Sequence, residues 1–396
     1  MKYNLSLPTS VEPTDGWTEG NRVEFVFENK AEEMVQKSLR LNGVLTLLKK
    51  GATDANFIPV TKNDQMILDP DAGVHGFIDN IIVSLANSKV ENVQNYGRFV
   101  KMKNEAKRYQ IDEAVDTHSL CELQTFSNDS STEEGDVKKN AYSGVLFPQT
   151  TGAWEMPFSV NLDICVNNSE ENIPFSKLGQ VKIALILQQM LKTGALCLTL
   201  PANTTFTYYL KNLEMRYMTV PEKEHGGIIL ETKVCAHIPT VQNQQASLDF
   251  NATNAFDSVI MSFIRSSSVS SLDNKSYNFL QTEPITEKLD SLEVKINGQN
   301  DVLQYPLKFQ TAEILYNYLK AWKPYIQPYD DMSVDKHGLS YKKLAQSGVQ
   351  QGGYGLGCAF MGGMNAGTNV QFNLSLQSVP STPYQCFIYS IGSLII

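Results

Sequence analysis

The sequence predicts an all-β protein built from two similar β-sandwich or jelly-roll domains in tandem. Three observations lead to this prediction. Many short segments alternate apolar and polar residues, polar turn segments separate them, and three pairs of strand segments recur at nearly one spacing. Alternation with a period of two places one face of a strand on a core, and frequent short strands are typical of sandwiches and jelly rolls. A chain of 396 residues, 42% of them hydrophobic, is long enough for two domains.

The clearest strand segment is WEMPFSVNLDIC, residues 154–165, in which every second residue from Trp154 to Ile164 is apolar. Pro157 cannot donate a backbone hydrogen bond, which favours an edge strand or the early part of a strand. Similar alternation predicts further strands at 22–28, 38–47, 77–87, 205–220, 228–238, 258–264, 289–296 and 370–377.

Two of the strand segments have special features. In 205–220 the apolar residues occupy even positions up to Leu210 and odd positions from Leu213, so the phase changes at Asn212. A β-bulge would produce that change. The final residues, 386–396, are apolar but too short to span a bilayer, and they are interpreted as a last buried strand.

Helical periodicity is rarer than alternation. Residues 98–115 and 311–322 are predicted to be helices, each following a predicted strand. Polar, turn-rich segments at 127–140 and 323–338 are predicted to be long loops. Loops of this length either carry contacts or are plain surface connections, and the sequence leaves both open.

Three segment pairs suggest an internal duplication. The offset is 211 residues between 23–27 and 234–238, 211 between 78–85 and 289–296, and 212 between 158–164 and 370–376. A constant offset in conserved order indicates two copies of one domain. The polar turn at 220–227 then divides the chain into a first domain, 1–222, and a second, 223–396.

Composition excludes several classes of protein. The formal net charge of −9 argues against direct nucleic-acid binding, which needs clustered Lys and Arg. Charged residues make up only 19%, which indicates that uncharged polar surface is hidden against neighbouring chains. The N-terminus has no apolar signal region, so the protein is expected to be soluble and made in the cytoplasm. Free thiols are expected in that compartment, since no C-x-x-C pair occurs among the cysteines at 121, 165, 197, 235, 358 and 386.

The glycine-rich stretch 352–369 resembles a phosphate-binding loop only superficially. A dinucleotide fingerprint needs a third glycine where Cys358 stands, and a P-loop needs a lysine that this stretch lacks. A strand rather than a helix is predicted to follow it. The stretch is therefore interpreted as a hinge between strands, where glycine permits positive φ and close backbone packing.

No other motif supports catalysis or metal binding. The five histidines, at 75, 118, 225, 237 and 337, form neither H-x-H nor H-E-x-x-H. Cys235 and His237 share a strand face and could pair as nucleophile and base, but packing is the preferred interpretation. Asp116 with His118 is a weaker pair, and the turn DPDAG at 69–73 lacks the later Glu of a calcium loop. The sequence thus predicts no catalytic residues, no cofactor and no metal, and hence no enzyme.

Several segments resemble one protein family. LRLNGVLTL at 39–47, LDPDAGVHGFIDNIIVSLANSKVENVQNYGRFVKMKNEA at 68–106 and LDSLEVKINGQNDVLQYPLKFQTAEILYNYLKAW at 289–322 are similar to parts of double jelly-roll major capsid proteins. These belong to the adenovirus–tectivirus lineage, which includes virophages, polinton-like viruses and tailless phages that contain lipid. The resemblance spans nearly the whole chain.

The resemblance implies two tandem eight-stranded jelly rolls with short inserted helices and long loops. It implies a homotrimer that forms pseudo-hexagonal capsomers and tiles an icosahedral virion after synthesis in the host cytoplasm. Neighbouring capsomers, penton and minor capsid proteins and an internal membrane are the partners that it suggests. The loops at 127–140 and 323–350 would be tower or inter-capsomer contacts. The chain lacks a basic arm, which agrees with no direct nucleic-acid binding.

Two alternatives stay open at this stage. A tandem jelly-roll carbohydrate-binding or spike protein could use aromatic side chains as stacking platforms, namely Trp154, Trp322, Tyr325, Tyr329 and Tyr341. A tandem β-sandwich enzyme such as a glycan-amide hydrolase would need acidic residues that converge at the mouth of one roll. Glycan selectivity would distinguish the first from a shell protein, and coordinates would reveal the second.

Overall fold

A computed structural model describes most of the strands of both halves. The described residues are 1–27, 31–60, 66–68, 72–106, 155–169, 171–197, 203–223, 227–269, 289–299, 307–308, 317–318, 320–322 and 356–395. Strands dominate these residues and helices are short, in agreement with the predicted all-β class.

The strands up to residue 221 are β1 Lys2–Ser6, β2 Arg22–Phe27, β3 Glu32–Met34, β4 Arg40–Lys50, β5 Ile58–Pro59, β6 Met66–Ile67, β7 Ile78–Leu85, β8 Ser88–Gln94, β9 Met156–Asn161, β10 Ile173–Pro174, β11 Val181–Leu187, β12 Leu196–Cys197 and β13 Thr205–Pro221. Those that follow are β14 Ile229–Val241, β15 Gln245–Asn251, β16 Phe256–Arg265, β17 Leu289–Ile296, β18 Leu307–Lys308, β19 Leu356–Met364, β20 Asn369–Leu376 and β21 Tyr384–Ile395.

Helical segments in the described part of the chain are short. They include the α-helices α1 Tyr96–Ala106 and α2 Phe175–Leu178, and the 3₁₀ turns Gly73–Phe77, Met190–Lys192 and Ser266–Ser268. Residues 317–318 and 320–322 are also helical. The predicted helices at 98–115 and 311–322 are therefore present where the structure describes them, and their remaining residues lie outside the described ranges.

Both halves have the strand order of a jelly roll. In the first half one sheet contains β1-β13-β4-β9 and the other β2-β11-β7-β8. In the second half the corresponding sheets are β14-β21-β16-β19 and β15-β20-β17-β18. The eight strands of these two sheets in the first half are β1, β2, β4, β7, β8, β9, β11 and β13, and those in the second half are β14 to β21. When each set is numbered from one to eight along the chain, both halves read 1-8-3-6 in one sheet and 2-7-4-5 in the other. The prediction of two tandem eight-stranded jelly rolls is confirmed.

The two rolls are joined through a shared sheet. Strand β8 of the first roll lies beside β14 of the second in parallel orientation, with Asn92 opposite Val234. This contact merges one sheet from each roll into a continuous eight-stranded sheet, in the order β2-β11-β7-β8-β14-β21-β16-β19. The remaining sheet of each roll packs on that shared layer. The short strands β3, β5 and β10 extend the first roll's own sheet, and β6 pairs with β12 separately.

Only one of the three predicted repeat pairs joins equivalent strands. Segments 78–85 and 289–296 form β7 and β17, each the fourth strand of its roll. The other two matches are wrong: β2 is a second strand whereas β14 is a first, and β9 is a sixth strand whereas β20 is a seventh. Every half-buried strand has the same alternation, so a match in apolar pattern does not identify strand position.

The predicted bulge is confirmed. The register between β13 and β4 shifts between Lys211 and Glu214. Asn212 within the shift has a φ of 51°, a left-handed conformation that asparagine tolerates better than most residues. The extra residue restores the apolar phase of β13, so its side chains on both sides of the bulge reach one core.

Strand β9 is shorter than its alternation predicts. It ends at Asn161 and pairs along one side with β4, which agrees with the edge position that Pro157 favours. The chain then turns at residues 164–168 instead of continuing as a strand to Cys165. Tertiary contacts of Asp163 and Cys165, described below, replace the pairing that a longer strand would have had.

Several strands lie outside the predicted set, among them β1, β8, β11 and β15. Strand β11 is almost continuously apolar, since Ala184 and Ile186 stand where alternation would place polar residues, so it lacks the alternation that marked the others. Strand β19 occupies Leu356–Met364, where a hinge was predicted. The hinge interpretation is therefore wrong for these nine residues, and only Asn365 to Thr368 connect β19 to β20.

Candidate functional site

The junction between the two rolls is the most elaborate buried site that the structure describes. Helix α1 begins directly after β8 and packs between the rolls. Its Phe99 ring lies 5.1 Å from the ring of Tyr389 in β21 and 5.6 Å from that of Trp322. Arg98, 1% exposed, donates through Nε to Ser262 Oγ and through Nη2 to the carbonyl oxygen of Phe263 at 3.1 Å. The first roll thereby binds the backbone and side chains of β16 in the second.

A close backbone contact completes the apolar part of the junction. A Cβ atom on Gly357 of β19 would lie 2.8 Å from Tyr318 Cα and 2.8 Å from Ala321 Cβ. Glycine is required because the helical residues 317–318 and 320–322 lie directly on the strand. This confirms the predicted use of glycine for close packing. The positive φ predicted for the same stretch is found at Gly362 and Gly363, at 86° and 71°.

A cluster of charged side chains lies beside this apolar contact. Lys233 of β14 is 1% exposed, and its Nζ lies 3.0 Å from Asp163 Oδ1, 3.1 Å from Glu231 Oε1 and 3.5 Å from Glu91 Oε1. Lys103 of α1 reaches Asp163 Oδ2 at 2.9 Å. The two lysines and three carboxylates come from α1, β8, β14 and the turn after β9. We call these five residues the junction cluster.

Glu91 is the most deeply buried carboxylate of the junction cluster, with 0% exposure. Its Oε2 accepts the backbone N–H of Cys165 at 2.8 Å, and its Oε1 accepts the backbone N–H of Lys233 at 3.2 Å. Burial raises the pKa of Glu91 to about 7, although Lys233 and the N–H of Cys165 act in the opposite direction. Nearby Asp163 raises that pKa further. The proton affinity of Glu91 is thus set by both rolls together.

Lys233 is held in its charged form. Burial lowers the pKa of Lys233, but the carboxylates of Asp163, Glu231 and Glu91 outweigh that effect and leave it well above its usual value. Polar neighbours satisfy the remaining groups: Tyr96 Oη accepts the N–H of Asp163 at 2.7 Å, and Asn168 Nδ2 donates to Glu231 Oε1 at 3.2 Å. The cluster is enclosed, and its members bind one another. Such an arrangement fixes the orientation in which one roll packs against the other.

A cavity of about 410 Å³ also lies between the rolls. Asp79 on its wall accepts a hydrogen bond from Gln188 Nε2 at 2.7 Å, and burial raises the pKa of Asp79 while that bond and Lys192 lower it. The lining side chains are mostly amides and apolar groups, namely Asn80, Gln94, Asn95, Ile186, Gln188, Ile264, Val269, Gln385 and Phe387, with Asp79 and Lys192. Acid–base hydrolysis of glycans uses two converging carboxyl groups. The lining of this cavity contains one carboxyl group, that of Asp79.

Of the two proposed thiol–histidine and aspartate–histidine pairs, only the side chain of Cys235 lies within the described residues. Cys235 is buried, and burial raises the pKa of its thiol well above the usual range, which opposes a role as nucleophile. The side chain of His237 lies outside the described residues, as do Asp116 and His118. The structure describes four of the cysteines as free thiols, as predicted: Cys165, Cys235, Cys358 and Cys386.

One of the aromatic candidates is buried, and the other aromatic candidates and the carboxylates of the turn at 69–73 lie outside the described residues. Trp322 is 0% exposed, so its interpretation as a stacking platform is wrong: its ring is a core group between Phe99 and Tyr318. The other platform candidates, Trp154, Tyr325, Tyr329 and Tyr341, lie outside the described residues, as do Asp69 and Asp71. Within the described ranges no three His, Cys, Asp or Glu side chains are grouped as metal ligands would be. None of the helices in those ranges is both long and apolar enough for a transmembrane segment.

The sequence does not predict the junction cluster. Glu91 and Lys233 are separated by 142 residues, and Asp163 lies far from both in the sequence. Alternation places each of these charged residues either on the polar face of a predicted strand or outside the predicted strands. A lysine in the apolar strand segment 228–238 was the one local signal available.

Comparisons with known proteins agree with the fold. No protein-family model and no curated protein matches the sequence. Among solved structures, a chain of the Sputnik virophage structure determined by cryo-EM matches with a TM-score of 0.58 at 11% identity, covering 100% of this chain and 86% of that one. The Faustovirus major capsid protein matches at 0.57 and 10% identity, with coverage of 100% and 90%. The mavirus major capsid protein matches at 0.52 and 11%, also with 100% and 90%.

Proposed function

We propose that this chain, which has the fold of double jelly-roll major capsid proteins, is itself a structural capsid subunit. It trimerises into pseudo-hexagonal capsomers that tile an icosahedral shell. The observation that carries the proposal is the union of two rolls of one topology into a single body through a shared sheet. Three such chains contain six similar rolls, which suits a six-fold lattice position.

The junction supports this role because a shell subunit must keep its shape under load. Buried Arg98, the Phe99–Trp322 contact and the junction cluster all connect the first roll to the second. Flexible rolls would not present a constant angle to neighbouring subunits. A rigid double roll therefore fits a tile better than it fits a pair of independent binding modules.

The domain boundary is proposed at residues 222 and 223. Strand β13, the eighth of the first roll, ends at Pro221, and β14, the first of the second roll, begins at Ile229. Apolar side chains of both rolls nevertheless share one core cluster, which includes Leu230, Ile260 and Tyr389. The rolls are thus distinct in topology but are expected to unfold together.

The remaining parts of the proposal concern location and partners. The protein is made in the host cytoplasm and resides in the virion, where it contacts neighbouring capsomers and penton and minor capsid proteins. An internal membrane beneath the shell is compatible with it, and direct nucleic-acid binding is not expected from a net charge of −9. The role is non-enzymatic. Full-length matches to the Faustovirus and mavirus major capsid proteins support this part of the proposal.

Light scattering combined with gel filtration tests the proposal directly. The purified protein of 44.2 kDa is expected to elute as a trimer, and negative-stain images should show a particle with a pseudo-hexagonal outline. A monomer at micromolar concentration would contradict the proposal. A selective hit on a glycan array would instead favour the alternative of a carbohydrate-binding or spike protein.

A further inference from the structure

The first strand presents its apolar residues to solvent rather than to the core. In β1, Tyr3 is 82% exposed and Leu5 is 53% exposed. The polar residues between them face inward: Asn4 Nδ2 donates to Thr219 Oγ1 at 2.8 Å, and Ser6 Oγ donates to the carbonyl oxygen of Val26 at 3.2 Å. This reverses the usual arrangement of a half-buried strand, in which apolar side chains face the core.

The exposed row extends beyond the strand. Met1 and Leu7 have the same parity and are 74% and 61% exposed. Alternate residues of a strand are roughly 7 Å apart, so the four side chains form a row roughly 20 Å long. Within the described part of the chain β1 pairs on one side only, with β13, and is therefore an edge strand. An edge strand with an apolar outer face is a site for association. We call Met1, Tyr3, Leu5 and Leu7 the β1 row.

Charges around the β1 row favour a protein partner over an anionic lipid surface. Lys2 lies beside Glu32, and Arg216 Nε lies 2.5 Å from Glu214 Oε1. Both of these cations are therefore matched by a carboxylate. Binding to anionic membranes needs an excess of Lys and Arg, and these two pairs supply none.

The size of the β1 row fits the centre of an obligate contact. Its exposed side chains present roughly 500 Å² of apolar surface, by the areas typical of large side chains. A stable interface buries about 800 Å² on each partner. The row would supply most of one side and needs a polar rim to complete it. A patch of this size lies within the range of the largest apolar patches on monomers, about 300–600 Å², which are often functional.

The second roll carries a matching patch. Ile229 and Ile395 face each other across β14 and β21, and they are 61% and 72% exposed. A closed ring of identical chains uses a heterologous contact, in which two unlike patches on each chain meet. The described residues therefore include an exposed apolar patch on each roll.

We infer that the β1 row is the surface by which one copy of this chain binds the Ile229–Ile395 patch on the second roll of the next copy. This inference rests on the proposed trimer and names its contact. The expected contact is dry at its centre, with the ion pairs of Lys2 and Arg216 at its rim.

The first test uses the full-length Tyr3→Ser, Leu5→Ser double variant in light scattering over a concentration series. The dissociation constant of each contact in the trimer is expected to rise by about 100-fold, because two large apolar groups leave that contact. Circular dichroism should be unchanged, since neither side chain contributes to a core. The matched control is Val379→Ser, an equally simple removal of a side chain that is 62% exposed outside the row. The control should leave the trimer intact.

The outcomes separate the inference from the proposed function. A wild-type monomer would refute the trimer itself. A wild-type trimer that the double variant preserves would refute the inference alone. Vesicle flotation that depends on Tyr3 and Leu5, with an unchanged trimer, would assign the row to lipid and would also refute it.

A second test addresses the pairing of the two patches. The Leu5→Cys, Ile229→Cys variant should form disulfides between copies under mild oxidation, up to a closed covalent trimer. Each single cysteine variant is the control and should remain uncross-linked. Formation of dimers by Leu5→Cys alone would indicate a two-fold contact of β1 with itself and would overturn the proposed pairing.

Discussion

Replacing Lys233 by methionine tests the importance of the junction cluster. The side chain of Lys233 is 1% exposed and contacts three carboxylates, of which that of Glu91 is 0% exposed. Methionine fills a similar volume but carries no charge. The substitution leaves Glu91 with its two backbone N–H donors and without a nearby cation. Removing one partner of a buried ion pair costs about 3–5 kcal/mol, because the remaining charge stays desolvated.

The free energy of unfolding is the quantity to measure. Urea denaturation at pH 8, followed by tryptophan fluorescence, should show a loss of about 3–5 kcal/mol for Lys233→Met. The matched control is Arg22→Met, which removes a cation whose side chain is 55% exposed beside Glu24. Exposed ion pairs contribute about 0–1 kcal/mol, so the control should lie close to wild type.

A double variant separates charge from packing. Adding Glu91→Gln to Lys233→Met removes the uncompensated buried charge, and it should recover part of the lost stability. The prediction would be contradicted if Lys233→Met cost no more stability than Arg22→Met. Groups in contact should be coupled, so the loss in the double variant should be smaller than the sum of the two single losses. A loss equal to that sum would also contradict the prediction.

The other predictions concern proton linkage and two backbone positions. The pKa of Glu91 is about 7 in the folded protein and near 4.5 without its surroundings, so folding takes up a proton between these pH values. The contribution of Glu91 to stability therefore falls as pH rises through that window. Glu91→Gln should flatten the pH dependence of stability between about pH 5 and 8 in urea denaturation, and an unchanged slope would contradict this prediction. Gly357→Ala should lower the free energy of unfolding by about 1–3 kcal/mol, because the new Cβ meets backbone and Cβ atoms at 2.8 Å; Gly51→Ala, which meets only the movable carboxylate of Asp54, is its control. Asn212→Val should cost about 1–2 kcal/mol at a φ of 51°, whereas Asn212→Gly should be close to neutral, and equal losses for both would argue against strain.

The predicted strands illustrate how far local pattern reaches. The strands around 22–28, 78–85 and 205–220 are found where alternation placed them, and the bulge at Asn212 follows from the change of phase. Burial of one face fixes a period of two, and that period is visible without knowledge of neighbours. Strand β1 was missed because the segment is short, although Tyr3 and Leu5 alternate with polar residues. Strand β11 was missed because Ala184 and Ile186 on its second face are apolar, which interrupts the alternation.

The sequence by itself determined that the chain is all-β, that strands fill both of its halves, and that clustered motifs for catalysis are missing from the residue pattern. Tertiary structure alone decided which strands are equivalent, how β8 meets β14, and that Glu91, Asp163 and Lys233 share one buried cluster. The physical reason is that side-chain alternation depends on whether a face is buried, which is a local property. The partner of a strand edge or of a buried charge depends on chain topology, and residues more than 100 positions apart carry no common local signal.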